Sequence, residues 1–298
     1  MQERLKELPK RLLELWNKYT SKQKTIIVSV FSGVVLALAI LIVLLSRTKY
    51  VTLSTFETTN IATGVVQLLD ENGIKIDTAF AIHLLSSQPS GKMIINDNAM
   101  MAGNIPFYVT ITGEGGHGSR PDEANSPIDC FTAIYQRLQT LRMTRVSPFE
   151  TVTYSVGFLK AGSQSNVIPK TLEFSGMIRY LNPETEYVIE REFKQTLEGI
   201  ASAYGCGINY KLNLTNPSVV NYPPHAQIAR RAIANEIGEE NVITAEPWMA
   251  SESFAHYLIK WRGVMSFLGI KNEELGTGSP NHSPEFDIDE SALKNGSA

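Results

Sequence analysis

A glycine-rich turn with a single histidine at its centre carries the clearest chemical signal in this sequence. Residues 113–121 read GEGGHGSRP and follow an alternating strand pattern over residues 107–112. Glycine permits positive φ angles and lets a backbone or a ligand approach closely, so the turn offers His117 on a nearly bare loop. Such a display is typical of a residue in a functional site.

Two other interpretations of this turn have to be weighed. Gly113, Gly115 and Gly118 are in register with the G-x-G-x-x-G fingerprint of dinucleotide-binding loops. In that fingerprint the loop opens directly into a helix, and an acidic residue follows about 20 positions later. Here prolines and polar residues intervene over residues 121–127, so the sequence disfavours nucleotide binding. A turn whose histidine merely packs stays open from this stretch alone.

The elements around the turn predict how it is positioned. Over residues 104–216 the pattern is strand, helix, two strands, helix and strand. This is the order of a ferredoxin-like α+β unit with both helices on one face of an antiparallel sheet. Residues 77–103 supply a strand that carries His83, and residues 217–298 supply short helices and strands. These flanking fragments predict an α/β domain interrupted by the ferredoxin-like unit.

Composition indicates a globular protein and argues against one class of partner. The 298 residues have a formal net charge of -3, whereas nucleic-acid binding usually shows itself as a basic face. We therefore expect no nucleic-acid partner. Cys130 and Cys206 are far apart in sequence and form no C-x-x-C motif, so they are predicted to be ordinary buried thiols that identify no redox compartment.

The amino-terminal part predicts a membrane anchor. Residues 1–24 form a basic amphipathic segment, and residues 25–46 contain no charged side chain. A helix of that length covers the roughly 30 Å hydrocarbon core of a bilayer. More Lys and Arg residues precede the span than follow it, which keeps the amino terminus in the cytoplasm. The sequence predicts a single-pass cell-membrane protein whose remaining chain is extracytoplasmic.

The same part resembles a known structural protein. The segments that carry the resemblance are LWNKYTSKQK, RTKYVTL and LLDENGI. Together they make residues 1–75 similar to the amino terminus of the flagellar M-ring protein. In that family the helix ending in LLDENGI leads into a ring-building motif, but here residues 47–76 are a truncated version that stops after one helix.

Residues 77–298 resemble a different family. Six motifs occur in the family's order, namely FAIHLL, GEGGHGSRPDEANSPID, SNVIP, GMIRYLNPE, MASESFAHYL and NHSPEFDIDE. They are similar to the zinc metallopeptidases and amidohydrolases that include aminoacylases, carboxypeptidases and hydrolases of hippurate and indoleacetyl-amino acids. The resemblance implies an incomplete α/β catalytic domain of the zinc-exopeptidase type over residues 77–103 and 217–298. It also implies a ferredoxin-like lid and dimerisation domain over residues 104–216.

The resemblance assigns a role to five residues. His83 and His282 match ligands of Zn²⁺ or another divalent metal, for which neutral imidazole is well suited. His117, Asn166 and Arg179 match lid residues that contact the substrate's carboxylate or its tetrahedral intermediate, with the histidine reaching across a dimer interface. Arg179 can hold a carboxylate in a fork, and the other two can donate to an oxyanion. The implied partners are a second copy of the lid and a small N-acyl-amino acid or peptide.

Each assignment has a structural alternative. His83 on an apolar strand can be a satisfied core histidine, and His282 in a proline-flanked loop can be a surface residue. Asn166 can cap a turn, and Arg179 can pair with Glu173. His225 and His256 match no ligand position and are predicted to be structural, while Ser253 stands where the family usually has an aspartate.

The family's first ligand cluster and its general-base Glu-Glu pair are missing from the sequence. Glu239 and Glu240 are the only candidate pair in the region, but they lie after the lid, at the wrong place in the order. Zinc catalysis needs three protein ligands, an open position and a base. We therefore predict a composite chain, joined near residues 75–77, that is a metallopeptidase-like amidohydrolase inactive by itself. The alternatives are a fragment of a flagellar membrane ring, completion of the site by a second chain, and an artificial join of two genes.

Overall fold

The structure is a computed structural model that describes residues 16, 19–20, 22–24, 27–30, 67–69, 71–73 and 75–297. The chain divides into two compact units, Met1–Thr55 and Phe56–Ala298. In the first unit, Gln23 N donates to Thr20 Oγ1 at 3.4 Å and Thr20 N donates to Gln23 Oε1 at 3.0 Å. This reciprocal pair is a capping box, with Thr20 as the N-cap, for the helix that contains residues 22–24.

Most of the predicted membrane span, residues 25–46, lies outside the described residues, as do residues 47–66, 70 and 74. Within the part of the chain that the structure describes, no helix is long and apolar enough to cross a bilayer. The membrane anchor and the truncated M-ring segment therefore stay predictions.

The second unit contains strands, helices and short 3-10 turns. In chain order the strands are β1 (Ala79–Pro89), β2 (Met93–Ile94), β3 (Ala99–Met101), β4 (Gly103–Thr112), β5 (Gly116–His117), β6 (Val152–Ala161), β7 (Val167–Ile168), β8 (Thr171–Tyr180), β9 (Gly207–Leu212), β10 (Val219–Val220), β11 (Val242–Ile243) and β12 (Gly263–Lys271). The α-helices are α1 (Pro127–Thr144), α2 (Pro183–Ala203), α3 (Pro223–Ile237), α4 (Ala255–Trp261) and α5 (Leu293–Ser297).

The predicted lid is a four-stranded antiparallel sheet with the order β6-β8-β4-β9. Alternate residues of β4, from Ile105 to Ile111, are buried in one core with the apolar faces of α1 and α2. On the opposite face of β4, Tyr108 is 55% exposed. One face of the sheet is therefore covered by helices and the other is in solvent, which explains the period-2 alternation of the strand and is expected of an antiparallel sheet. The element order is the one predicted from the sequence.

The flanking segments, residues 77–103 and 217–298, form a separate mixed sheet with the order β1-β12-β2-β11. Strand β12 pairs parallel with β1 and antiparallel with β2, and all but the last of its residues are buried. Strand β1 is an edge strand among the described residues, and its Phe80 and Ile82 are 48% and 39% exposed. The apolar side chains of this edge strand leave a surface to which a further strand can pair.

Helix α4 begins later than the sequence predicts. The residue pattern by itself predicts a helix over residues 251–259, whereas the helix spans Ala255–Trp261. The carboxylate of Glu252 explains the difference, because its Oε1 accepts hydrogen bonds from Ser253 Oγ at 3.0 Å and from Phe254 N at 3.3 Å. Side chains that bond nearby backbone in this way favour a turn over a helix interior.

Candidate functional site

A short β-ribbon brings His117 and Asn166 together. Strand β5 pairs antiparallel with β7, so that His117 lies opposite Val167, and Gly118 N donates to the Asn166 carbonyl at 2.8 Å. Asn166 uses its backbone carbonyl for this bond, and Asn166 as a whole is exposed. The sequence placed these two residues about fifty positions apart, and the ribbon makes them neighbours at one end of the lid sheet.

Ser119 determines which nitrogen of His117 carries the proton. His117 Nδ1 lies 3.2 Å from the Ser119 backbone N and 2.8 Å from Ser119 Oγ. A backbone amide can only donate, so Nδ1 is the acceptor and the neutral ring carries its proton on Nε2. The imidazole therefore has an N–H available to donate, as stabilisation of an oxyanion requires.

The glycines of the turn are needed for close packing of backbone. A Cβ at Gly113 would lie 2.0 Å from the Asn125 carbonyl oxygen, and one at Gly115 would lie 2.7 Å from the Ile168 carbonyl oxygen. Neither residue has a positive φ. Glycine is therefore required at these positions by the close approach of backbone atoms and not by an unusual backbone angle. A 3-10 turn at Pro121–Glu123 separates this loop from α1. The loop therefore lacks the direct entry into a helix that a dinucleotide fingerprint has.

Arg179 carries a buried polar atom without a partner. It lies on β8 opposite Asn104 of β4 and Thr153 of β6. Its Nη1 is buried and forms no hydrogen bond within the described part of the chain. The alternative of a surface ion pair with Glu173 is not observed among the described residues. Because a buried guanidinium N–H without an acceptor is costly, this atom indicates a place for an anion.

Arg179 and His117 lie at opposite ends of the lid sheet. Arg179 pairs with Asn104, whereas the far end of β8 pairs Thr171 with Thr112, just before the turn. Eight residues of antiparallel strand between Arg179 and Thr171 span about 27 Å, and the ribbon continues beyond that point. A single copy of the chain therefore does not bring His117 and Arg179 to one small substrate.

The imidazole of the predicted metal ligand His83 is held by a backbone carbonyl and two aromatic rings. Its Nδ1 lies 2.6 Å from the Leu84 carbonyl oxygen, which can only accept, so Nδ1 holds the proton. This leaves the Nε2 lone pair free, as in histidines that bind metals while donating their other N–H to a carbonyl. The rings of Trp248 and Phe267 lie at 5.9 Å and 6.1 Å from the imidazole and fix its plane.

Asn281 attaches the loop of His282 to the strand of His83. Its Oδ1 accepts from Ser86 Oγ at 2.9 Å, and its Nδ2 donates to the Leu84 carbonyl at 3.3 Å, the carbonyl that also holds His83. The neighbouring His282 has a φ of 68°, which non-glycine residues rarely adopt and which is often found at functional sites. The structure thus places Asn281, the chain neighbour of His282, against Leu84 and Ser86 of the strand that carries His83.

The described residues do not complete a catalytic metal site. They contain no group of three or more His, Cys, Asp or Glu side chains that could hold a metal ion. Glu239 and Glu240 precede β11, at the sheet edge opposite β1 and about 14 Å from it by three strand spacings. Zinc catalysis needs three protein ligands, so the roles of His83 and His282 as metal ligands stay predictions.

The other histidines have partners in the protein. His225 Nδ1 lies 3.1 Å from Thr78 Oγ1, and its ring contacts Tyr222 edge to face. His256 Nε2 lies 3.2 Å from the Thr215 carbonyl oxygen. Both contacts agree with the structural roles predicted for these residues.

Sequence reasoning missed two residues that support the site. Ser119 determines the His117 tautomer, and Asn281 connects His282 to β1. Each lies within two positions of a predicted histidine, inside a quoted motif. What could have pointed to them is that Ser and Asn side chains frequently bond nearby groups in turns.

Comparison with known proteins finds a family model that matches part of the chain. Residues 101–205 match the model of the peptidase dimerisation domain of the M20 family. Thermostable carboxypeptidase 2 of Saccharolobus solfataricus is 30% identical over 222 residues, which are 74% of this chain and 56% of that protein. The chain thus spans little more than half the length of this relative.

Solved structures agree on the fold. A protein from methicillin-resistant Staphylococcus aureus, described as an aminohydrolase, superposes with a TM-score of 0.70 at 30% identity over 76% of this chain and 59% of its own. The YXEP protein of Bacillus subtilis, described as a dinuclear metal binding peptidase from the M20 family, superposes with a TM-score of 0.63 at 25% identity over 78% of this chain and 57% of its own. The mixed α/β fold of these peptidases is therefore confirmed. The comparisons do not show the flagellar M-ring resemblance of residues 1–75, which stays a prediction.

Proposed function

We propose, from the membership of residues 101–205 in the peptidase dimerisation domain of the M20 family, that this chain recognises amides next to a carboxylate, either N-acyl-amino acids or peptides. The observation that carries the proposal is the buried Nη1 of Arg179, which has no acceptor among the described residues. A substrate carboxylate supplies that acceptor in a fork geometry. His117 Nε2–H then donates to the oxygen on which charge develops during attack on the amide.

The separation of His117 from Arg179 supports a site shared between two copies of the chain. Strand β6 is an edge of the lid sheet, with its Val152 end beside Tyr180 and its Ala161 end beside Leu172. Antiparallel pairing of β6 with the same strand of a second copy would put the Ala161 end of one lid sheet beside the Val152 end of the other. One chain would then supply Arg179 and its partner the ribbon of His117.

The surface of β6 suits a second copy of the lid. Phe158 and Leu159 are 48% and 52% exposed, and they line a shallow apolar groove with Phe131, Tyr135, Val156 and Gly157. An exposed strand edge beside apolar side chains is a ready template for pairing with another chain. The groove therefore supports a lid-mediated homodimer.

Hydrolysis needs more than the described residues provide. His83 and His282 would hold a divalent metal that supplies Lewis-acid chemistry at the amide, and a third ligand and a base are required beside them. We propose that the chain binds its substrate but does not hydrolyse it unaided.

Binding of N-benzoylglycine to the purified full chain, measured by calorimetry, tests carboxylate recognition. N-benzoylglycinamide is the matched control, because it keeps the amide and the ring but lacks the charge. A hydrogen bond to a charged group contributes about 1.5–3 kcal/mol, so the carboxylate should bind roughly 10- to 100-fold more tightly. Equal affinity for the two compounds would contradict the proposal, as would metal-dependent turnover that His282→Ala abolishes.

A mixing experiment tests the shared site. Chains with His117→Ala and chains with Arg179→Met should each lose binding, because every site in either homodimer lacks one residue. Random exchange makes half of the dimers mixed, and one of the two sites in each mixed dimer is intact, so about a quarter of the binding capacity should return. No recovery after verified exchange of subunits would contradict the arrangement.

A further inference from the structure

The two cysteines lie together in the core of the lid. Cys130 is in the first turn of α1 and Cys206 directly precedes β9, and their exposed fractions are 0% and 9%. Both belong to the same hydrophobic core cluster. They are the only cysteines in the sequence, so any thiol chemistry of this chain involves them alone.

Hydrogen bonds hold the two segments that carry these thiols side by side. Asn125 Nδ2, just before α1, donates to the Gly205 carbonyl at 3.1 Å. On one side, Cys130 N donates to the Ser126 carbonyl at 3.1 Å, and on the other, Cys206 N donates to the Ala201 carbonyl at 2.9 Å. Each cysteine is therefore fixed by its backbone, close to the point where the two segments are joined.

Each thiol also affects the pKa of the other. Burial and, to a smaller extent, the neighbouring Cys206 thiol together raise the pKa of Cys130 to about 12. Burial likewise raises the pKa of Cys206, although its hydrogen bond with Cys130 acts in the opposite direction. Thiolates are scarce under these conditions, so the pair is stable as two thiols until an oxidant is present and reacts faster as the pH rises.

We infer that Cys130 and Cys206 form an intramolecular disulfide that joins the start of α1 to the start of β9 when the lid meets a disulfide oxidant. Cys206 is the entry point, because it is the more exposed of the two. Its thiolate attacks glutathione disulfide, which releases one glutathione thiolate and leaves a mixed disulfide. The Cys130 thiolate then attacks the Cys206 sulfur and releases the second glutathione, so two electrons pass from the protein to the oxidant.

Such a bond would matter most in an oxidising compartment. The extracytoplasmic location predicted from the charges around residues 25–46 is one such compartment. The bond would close the segment 130–206, which contains edge strand β6 and strand β7 of the ribbon. Closing a long segment of chain restricts the unfolded state and so stabilises the folded lid.

The reduced full chain, treated with glutathione disulfide at pH 8.5 well below its melting temperature, tests the inference. We expect both thiols to disappear together, with a mass loss of two hydrogen atoms and a non-reducing peptide map that links Cys130 to Cys206. The melting temperature of the oxidised chain should rise by roughly 10 °C. With Cys130→Ser, which removes the resolving thiol, glutathione should remain attached to Cys206.

Several results would overturn the inference. They are persistence of both thiols under these conditions, a wild-type product that stops at the mixed disulfide, a disulfide between two chains, or a melting temperature that falls on oxidation. The melting measurement uses the wild-type sequence in both states, so it does not depend on whether a cysteine variant folds. None of these readouts depends on substrate binding, so failure here leaves the proposed function untouched.

Discussion

Replacing Arg179 with methionine should have opposite effects on stability and on binding. The Nη1 atom of Arg179 is buried without an acceptor among the described residues. Methionine keeps an unbranched apolar stem of similar reach but removes the buried polar group. If this arginine is retained to hold a carboxylate, the ligand-free protein pays a stability penalty that Arg179→Met relieves.

The magnitudes follow from the cost of an unsatisfied polar group. Leaving such a group buried costs about 1–3 kcal/mol, so the ligand-free Arg179→Met chain should gain that much in free energy of unfolding. For a unit of the size of Phe56–Ala298, each kcal/mol raises the melting temperature by about 2–4 °C, so a rise of roughly 2–12 °C is expected. Loss of the charge-assisted hydrogen bond should weaken binding of N-benzoylglycine about 10- to 100-fold.

Differential scanning calorimetry with and without N-benzoylglycine measures both effects in one series. Wild-type protein should be stabilised by the ligand, and Arg179→Met should be more stable alone but insensitive to it. Arg142→Met is the matched control, because Arg142 is an exposed arginine on α1, and it should change neither quantity. A less stable Arg179→Met chain that still binds the ligand like the wild type would refute the reasoning, since Arg179 would then be a structural residue.

Three further changes test other parts of the structure. Asn281→Ala removes the connection between the His282 loop and β1, so the affinity for Zn²⁺ measured by calorimetry should fall about 10- to 100-fold. Unchanged affinity would argue against a metal site formed by His83 and His282. Phe158→Asp should convert the dimer to a monomer in light scattering, whereas Phe149→Asp, at a residue that is 94% exposed, should not; a dimer that survives both changes would exclude the β6 surface. Gly113→Ala should lower the free energy of unfolding, measured in urea, by about 2–4 kcal/mol, because its Cβ would lie 2.0 Å from the Asn125 carbonyl oxygen. Gly157→Ala, whose Cβ would have nothing within 4 Å, should change the free energy of unfolding little. Equal effects of the two changes would contradict the packing argument.

Periodicity in the sequence was sufficient to predict the elements of the lid. The alternation over residues 107–112 and the order of strands and helices over residues 104–216 recur in the structure, where one face of each element is buried against a single core. The short elements were harder to predict. Glu252 bonds nearby backbone and delays helix α4, and a local hydrogen bond of this kind leaves no mark on the hydrophobic pattern.

The sequence by itself determined which residue types carry chemistry and which family the lid resembles. It also indicated two imidazoles for a metal and an arginine for a carboxylate, because these depend only on side-chain type and motif order. The tertiary structure alone decided which residues lie next to each other in space. Strand register brings Asn166 to His117 and separates both from Arg179, and packing brings Cys130 to Cys206. Such contacts join residues distant in sequence, so they depend on how the whole chain folds.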